Sequence, residues 1–143
     1  AMSCHSTLGA GPLLDAYRTG GCVSPTVAEG DSPPTRGWDA TITIAGGAKA
    51  TIKGAEKVSG NIRIRYEPDG PDVVAVQPGD YIYPNDVRLN SRHDRLYVKA
   101  SGLAGGISHV TWLYEYDLLK RKQVRRIRVH PDALAPECPI AKD

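Results

Sequence analysis

The sequence contains no Phe and a single Met, so its seven Tyr, two Trp and the aliphatic residues must supply the core. Tyr and β-branched residues favour a pleated, half-buried surface over a helix. Gly (15) and Pro (11) make up 26 of the 143 residues, which indicates many turns and little room for long helices. The apolar runs are only a few residues long, so no membrane-spanning segment is expected.

The net charge is also small, at +2, although 24% of the residues are charged. Its distribution is uneven. Residues 85–129 carry ten basic and four acidic groups, net +6, whereas residues 1–84 and 130–143 are each net −2. A basic block between two mildly acidic ones favours an acidic partner, without choosing among nucleic acid, anionic lipid and acidic protein.

The length of 143 residues corresponds to one domain, which can bury roughly two-thirds of the surface that its unfolded chain exposes. We expect a flexible tether over 1–11, in which Ala1 and Met2 are the remnant of a cleaved tag. A single β domain then covers 12–143. Within it, 12–37 is irregular with one short N-terminal helix, 38–130 forms the strands, and 131–143 is a tail.

The strand prediction depends on strict alternation of apolar and polar residues. Thr41 to Ala45 alternates, Gly46 and Gly47 form a hairpin turn, and Asn61 to Tyr66 alternates again with its apolar residues on one face. Similar segments follow up to residue 129. The spacing predicts an all-β fold, an antiparallel β-sandwich or partly open barrel of about eight short strands.

The most basic stretch, KRKQVRRIRV at 120–129, is predicted to be a strand of a hairpin that turns at Lys120 and Arg121. In the predicted register, facing residues have numbers that sum to 241. One face is then largely apolar (Val110, Trp112, Tyr114, Tyr116, Arg125, Ile127, Val129). The other is charged and solvated (Thr111, Leu113, Glu115, Asp117, Val124, Arg126, Arg128).

Nucleic-acid binding is not expected. In this register most arginines lie on one face of the hairpin and the aromatic rings lie on the other, whereas nucleic-acid binding needs arginines and aromatic rings interleaved on the same face. The cations left without partners are at the tip of the hairpin. We therefore predict that a protein partner contacts Lys120, Arg121 and Lys122, joined by Arg92 and Arg95 from the turn NSRHDR.

Cys4 follows a small residue and precedes the polar run HSTLGAG. This short segment resembles the mature end of a bacterial lipoprotein. The resemblance implies that Cys4 is lipidated and that the domain is anchored to a membrane of the bacterial envelope, in the periplasm. Cys22 and Cys138 then remain, both in loops rich in Gly and Pro, and we expect a disulfide between them. The alternative is two free thiols in a cytosolic protein.

No catalytic, metal-binding or cofactor-binding residues are predicted. The turn Ser91 to Asp94 contains Ser, His and Asp, but three neighbours in one turn point in different directions, so a polar turn is the expected interpretation. The cysteines lack the paired spacing of zinc ligands. The glycines of AGGAKAT lack the spacing of a phosphate-binding loop.

These features favour a non-catalytic binding domain that neutralises a protein partner, as small lipoproteins of the immunity or enzyme-inhibitor type do. The alternative is a structural or assembly lipoprotein of a secretion or pilus machine. A glycan-binding module is a third possibility, which would require an exposed Trp38 or Trp112 as a stacking platform.

Overall fold

In a computed structural model of the protein, residues 10–23, 38–54, 60–68 and 70–130 are described. The predicted tether with Cys4, the tail, and Cys138 lie outside these residues. The elements are α1 (Ala10–Thr19), β1 (Gly21–Cys22), β2 (Trp38–Thr43), β3 (Lys49–Gly54), β4 (Ile62–Tyr66), β5 (Asp72–Val76), β6 (Ile82–Leu89), β7 (Arg95–Ala104), β8 (Ser108–Asp117) and β9 (Lys122–Arg128).

The strands form two antiparallel sheets, which confirms the all-β prediction. The larger sheet has the order β1-β6-β7-β8-β9, and the smaller has the order β2-β3-β4-β5. The main apolar core consists of side chains from both sheets, for example Ile52 and Ile64 from the smaller and Leu96 and Val98 from the larger. In β4 burial alternates residue by residue, as the sequence pattern predicts. The architecture is a β-sandwich.

Helix α1, which the sequence also predicts, lies against the opposite face of the larger sheet. Leu13 and Tyr17, one helical turn apart, are buried in a second apolar cluster with Tyr97, Leu113 and Val129. The larger sheet is therefore covered on both faces in this region. Among the described residues, no helix is long and apolar enough to cross a membrane.

The predicted β8–β9 register was wrong by one residue. Trp112 faces Arg128 and Tyr114 faces Arg126, so the facing numbers sum to 240, and a bulge follows between Glu115 and Tyr116. A shift of one residue exchanges the two faces of a strand. Arg126 and Arg128 therefore share a face with Trp112 and Tyr114, and Ile127 lies beside the second apolar cluster under α1.

The prediction that the β8 face carrying Glu115 is solvated was also wrong. Helix α1 packs on that side of the sheet, and Leu113 and Glu115 are both 0% exposed. Period-two patterning shows which residues share a face, but it does not show what covers that face.

Other differences concern strand boundaries. Residues 82–89 form one strand with an irregularity between Pro84 and Asp86, whereas the sequence pattern predicts two short strands, Tyr81 to Tyr83 and Val87 to Leu89. β7 continues to Ala104, although the sequence SGLAGG at 101–106 predicts a Gly-rich loop. The short strand β1 lies within the region predicted to be irregular. Cys22 lies on β1, and Cys138 lies outside the described residues, so a bridge between them stays a prediction.

Candidate functional site

Turns from both sheets meet at one end of the sandwich. The β8–β9 turn contacts the β6–β7 turn, because Leu118 N donates to Asp94 O at 3.0 Å. The β6–β7 turn contacts the β2–β3 turn, because Ala45 N donates to His93 O at 2.9 Å. The hydroxyl of Tyr66 in the smaller sheet donates to Leu118 O at 2.8 Å. These bonds join the three turns into one surface.

The β8–β9 turn is additionally held by its own residues. Asp117 Oδ1 accepts hydrogen bonds from Leu119 N and Lys120 N, each at 2.9 Å. The side chain of Leu118 is fully buried in the main core. Burial of Asp117 would by itself raise the pKa of its carboxyl. Hydrogen bonds from the turn amides, together with the Arg95 guanidinium, outweigh that effect and lower the pKa below its ordinary value.

This surface carries five exposed cations, which we call the basic end: Lys49, Arg92, Lys120, Arg121 and Lys122. Within the described residues, none of the five forms an ion pair. Arg121 instead stacks over the ring of Tyr66, with its guanidinium carbon 4.0 Å from the ring centroid. Glu67 is an exposed carboxylate at this end. The local charge is therefore clearly positive.

Two backbone conformations at this end are unusual. His93 and Arg121 have positive φ angles of 59° and 58°. Non-glycine residues adopt this conformation uncommonly, and such positions cluster at functional sites. At Arg121 it accompanies the stacking of the guanidinium on the Tyr66 ring.

Three of the five predicted partner-binding residues, Lys120, Arg121 and Lys122, lie together at the basic end, and Arg92 joins them across the Leu118–Asp94 hydrogen bond. Arg95 does not share their exposure. Its side chain is only 14% exposed, with Nε 3.2 Å from Glu115 Oε2 and Nη1 paired with Asp117. Arg95 therefore lies beneath the basic end and pairs with the carboxylates of Glu115 and Asp117.

Beneath the basic end, Glu115 lies between two guanidinium groups. Its Oε1 accepts a hydrogen bond from Arg125 Nε at 3.2 Å, while Oε2 is in an ion pair with Arg95 but accepts no hydrogen bond. The neighbouring Tyr97 is buried, and burial together with the charge of Glu115 raises its pKa to about 12. Glu115, Arg95 and Arg125 form a largely buried ionic layer under helix α1, and Arg95 also pairs with Asp117.

A cavity of about 560 Å³ lies between this layer and the end of helix α1. Its wall includes Thr19, Arg92, Arg95, Tyr97 and Glu115. Because the wall contains both positive and negative groups, it offers hydrogen-bond donors and acceptors. Arg92 belongs both to the wall and to the basic end, so the cavity adjoins the basic end.

The polar turn gives no acid–base pair. His93 Nδ1 lies 2.5 Å from Thr43 O, and Asp94 Oδ1 accepts from Asn90 Nδ2 at 2.6 Å, so the two side chains are engaged with different groups.

The two tryptophans do not form an exposed stacking surface of the kind that a glycan-binding module would require. Trp38 and Trp112 both pack against the main core, and Arg126 covers the ring of Trp112 at 4.1 Å. Among the described residues, no group of three or more His, Cys, Asp and Glu could hold a metal ion.

The sequence interpretation missed the buried layer of Glu115, Arg95 and Arg125. A signal for it was present. The apolar pair Leu13 and Tyr17 on the predicted helix requires an apolar partner surface. Leu113 is an apolar residue on the strand face predicted to be charged and solvated. It could therefore have indicated that the helix covers that face, which is the face that carries Glu115.

Comparisons with protein-family models, with curated proteins and with solved structures find no match for this chain.

Proposed function

We propose that this protein is a non-catalytic binding domain that captures an acidic protein through the basic end. The observation that carries the proposal is a set of exposed cations, without ion pairs among the described residues, on turns held together by hydrogen bonds. Like charges placed together repel one another. Binding to a surface rich in carboxylates relieves that repulsion and speeds encounter.

The rigidity of the turns supports a role in binding. A flexible lysine-rich loop loses conformational entropy when it binds, whereas a surface already held in one conformation loses less. Asp117 fixes the turn amides, Leu118 anchors the turn in the core, and Tyr66 holds Arg121. The mechanism would be steric, with the turns of the basic end occupying the partner's acidic surface.

The cellular setting is part of the same proposal. Lipidation of Cys4 would hold the domain at the bacterial envelope, and neutralising a toxin or an envelope enzyme is the use that the lipoprotein resemblance implies. A bridge between Cys22 and Cys138 would suit an oxidising compartment.

The proposal is tested by affinity capture from an envelope extract with three forms of the full chain. They are the wild type, the double variant Lys120→Glu with Lys122→Glu, and a control with Arg63→Glu and Arg65→Glu. Arg63 and Arg65 are exposed on β4, so the control changes the net charge equally on another surface. We expect one acidic protein, identified by mass spectrometry, to be retained by wild type and control but lost by the first variant.

Retention of the same protein by all three forms, or by none, would contradict the proposal. The identity of the retained protein separates the two envelope roles. A toxin or a hydrolytic enzyme supports neutralisation, and a component of a secretion or pilus machine supports assembly instead.

A further inference from the structure

Strand β9 is at the edge of the larger sheet and continues directly from the basic end. It carries two further exposed cations, Arg126 and Arg128. Their guanidinium groups form no ion pair among the described residues. Arg126 lies over the ring of Trp112 at 4.1 Å, and Arg128 Nη2 donates to His109 O at 3.4 Å. Both side chains are thus positioned by neutral groups.

The backbone at the same two residues faces outward. Val129 N donates to Thr111 O at 3.0 Å, so these two residues form a hydrogen-bonded pair across the ladder. Such pairs alternate with non-hydrogen-bonded pairs in an antiparallel ladder. In the observed register the pairs Trp112–Arg128 and Tyr114–Arg126 are therefore of the second kind. The N–H and C=O groups of Arg126 and Arg128 then point away from β8, toward the side of β9 on which no strand of the described residues pairs.

The residue between them has a different character. Ile127 is half-buried on the opposite face of the strand, beside the apolar cluster under helix α1. An added strand would place its alternate side chains against the two arginines and its intervening side chains near Ile127. The edge therefore has a pattern, with cations on one side and an apolar residue on the other.

We propose that the β9 edge binds an extended segment of the partner by strand addition. The segment has carboxylates at alternate positions, opposite Arg126 and Arg128, and apolar residues between them. This inference deepens the proposed function, because it names the form in which an acidic partner is recognised. Main-chain hydrogen bonds supply affinity in this mode, and the alternating side chains supply specificity.

The experiment uses the ¹⁵N-labelled full chain and a peptide of about ten residues that alternates Glu and Val. We expect the amides of Arg126 and Arg128 to shift and to exchange more slowly with solvent in the complex. A second peptide of the same sequence, N-methylated at its Glu residues, keeps the charge but lacks the required donors. We expect it to bind at least about tenfold more weakly, since two main-chain bonds are lost.

Two variants complete the test. Arg126→Glu should weaken binding of the Glu–Val peptide by about tenfold, because attraction across the strand pair becomes repulsion. Arg63→Glu should leave the affinity within about twofold, because that arginine is exposed on β4 of the other sheet and is not part of the β9 edge. Arg128→Glu serves as a second edge variant if the amide spectrum shows that Arg126→Glu disturbs the fold.

Equal binding of the two peptides, or no protection of the two amides, would overturn the proposal. The edge arginines would then only prevent unwanted strand pairing, as charges on edge strands commonly do. A peptide that shifts only the amides of Arg92 and residues 120–122 would refute strand addition while leaving recognition of acidic groups by the basic end intact.

Discussion

A buried carboxylate at position 115 is held by two guanidinium groups, and its side chain is inaccessible to solvent. Such an arrangement adds little to stability when compared with apolar residues of the same shape. Removal of Glu115 is costly, however, because it leaves the partly buried guanidinium groups of Arg95 and Arg125 with one carboxylate fewer. Glu115 therefore fixes the positions of Arg95 and Arg125, and Arg95 in turn reaches Asp117 at the base of the β8–β9 turn.

We predict that Glu115→Gln lowers the free energy of unfolding by roughly 3–5 kcal/mol, since it removes the charge while keeping the shape. Glu67→Gln, at an exposed position, is the matched control and should change stability by less than about 0.5 kcal/mol. Urea unfolding followed by tryptophan fluorescence measures both values. Similar, small effects of the two substitutions would show that Glu115 does not organise the layer.

Asp117 links stability to pH. Its pKa is lowered in the folded protein, so it contributes stability above its unfolded pKa of about 4, and that contribution is lost as pH falls through the folded pKa. We predict that Asp117→Asn costs about 1.5–3 kcal/mol at neutral pH, because its charged hydrogen bonds are weakened. The difference from wild type should shrink below about pH 4. Urea midpoints measured from neutral to acidic pH test this, and a difference that persists at low pH would contradict the role of the charge.

At the scale of elements, helix α1 acts as a cover for the larger sheet. Tyr17 donates to Asp86 Oδ2 at 2.5 Å, and Arg88 Nε lies 2.9 Å from the same oxygen while its guanidinium stacks on the Tyr17 ring. Burial, followed by the charge of Asp86, raises the pKa of Tyr17 well above its ordinary value. The helix therefore satisfies a buried carboxylate in addition to contributing apolar contacts.

We predict that Leu13→Ala costs about 2–5 kcal/mol, because Leu13 is fully buried between α1 and the sheet. Leu14→Ala, at a half-buried position on the same helix, should cost clearly less. Thermal or urea denaturation of both variants provides the comparison. An equal loss at the two positions would mean that the helix does not pack on the sheet through the face described here.

The elements that the sequence predicts well are those whose alternation is local. β4 shows the expected pattern at every residue, and the Gly46–Gly47 hairpin follows from turn chemistry alone. The β8–β9 register was missed because the hairpin turns earlier than predicted: Asp117 faces Lys122, so the turn covers 118–121 and is not centred on Lys120 and Arg121. The bulge between Glu115 and Tyr116 offsets only part of this difference. Both faces of β9 also contain cations. Such a strand gives little indication of which face is buried. The contact between the turns at Leu118 and Asp94 is long-range and leaves no local signal.

At the scale of the whole molecule, the main core is closed at one end by turns from both sheets, and those turns carry the basic end. The charge asymmetry of the sequence is thus concentrated at one place in the structure. Residues 85–129, which include most of β6 and all of β7 to β9, supply four of the five cations, and Lys49 from the smaller sheet supplies the fifth.

The predicted Cys22–Cys138 bridge would join the first strand of the fold to the tail. The intact mass of the non-reduced protein should then be lower by two hydrogens than that of the reduced form. In the non-lipidated chain, one thiol should remain available for alkylation, since the sequence has three cysteines. Peptide mapping should recover the pair Cys22–Cys138. Three alkylated thiols in the non-reduced protein would remove the argument for an oxidising compartment.

The central claim, that the basic end binds an acidic partner, is tested most directly by the dissociation constant of the captured protein. Measurements compare the wild type, the Lys120→Glu and Lys122→Glu double variant, and the Arg63→Glu and Arg65→Glu control. We predict that the first variant binds at least about tenfold more weakly, while the control stays within about threefold of the wild type. Equal affinities for the three forms would contradict the claim.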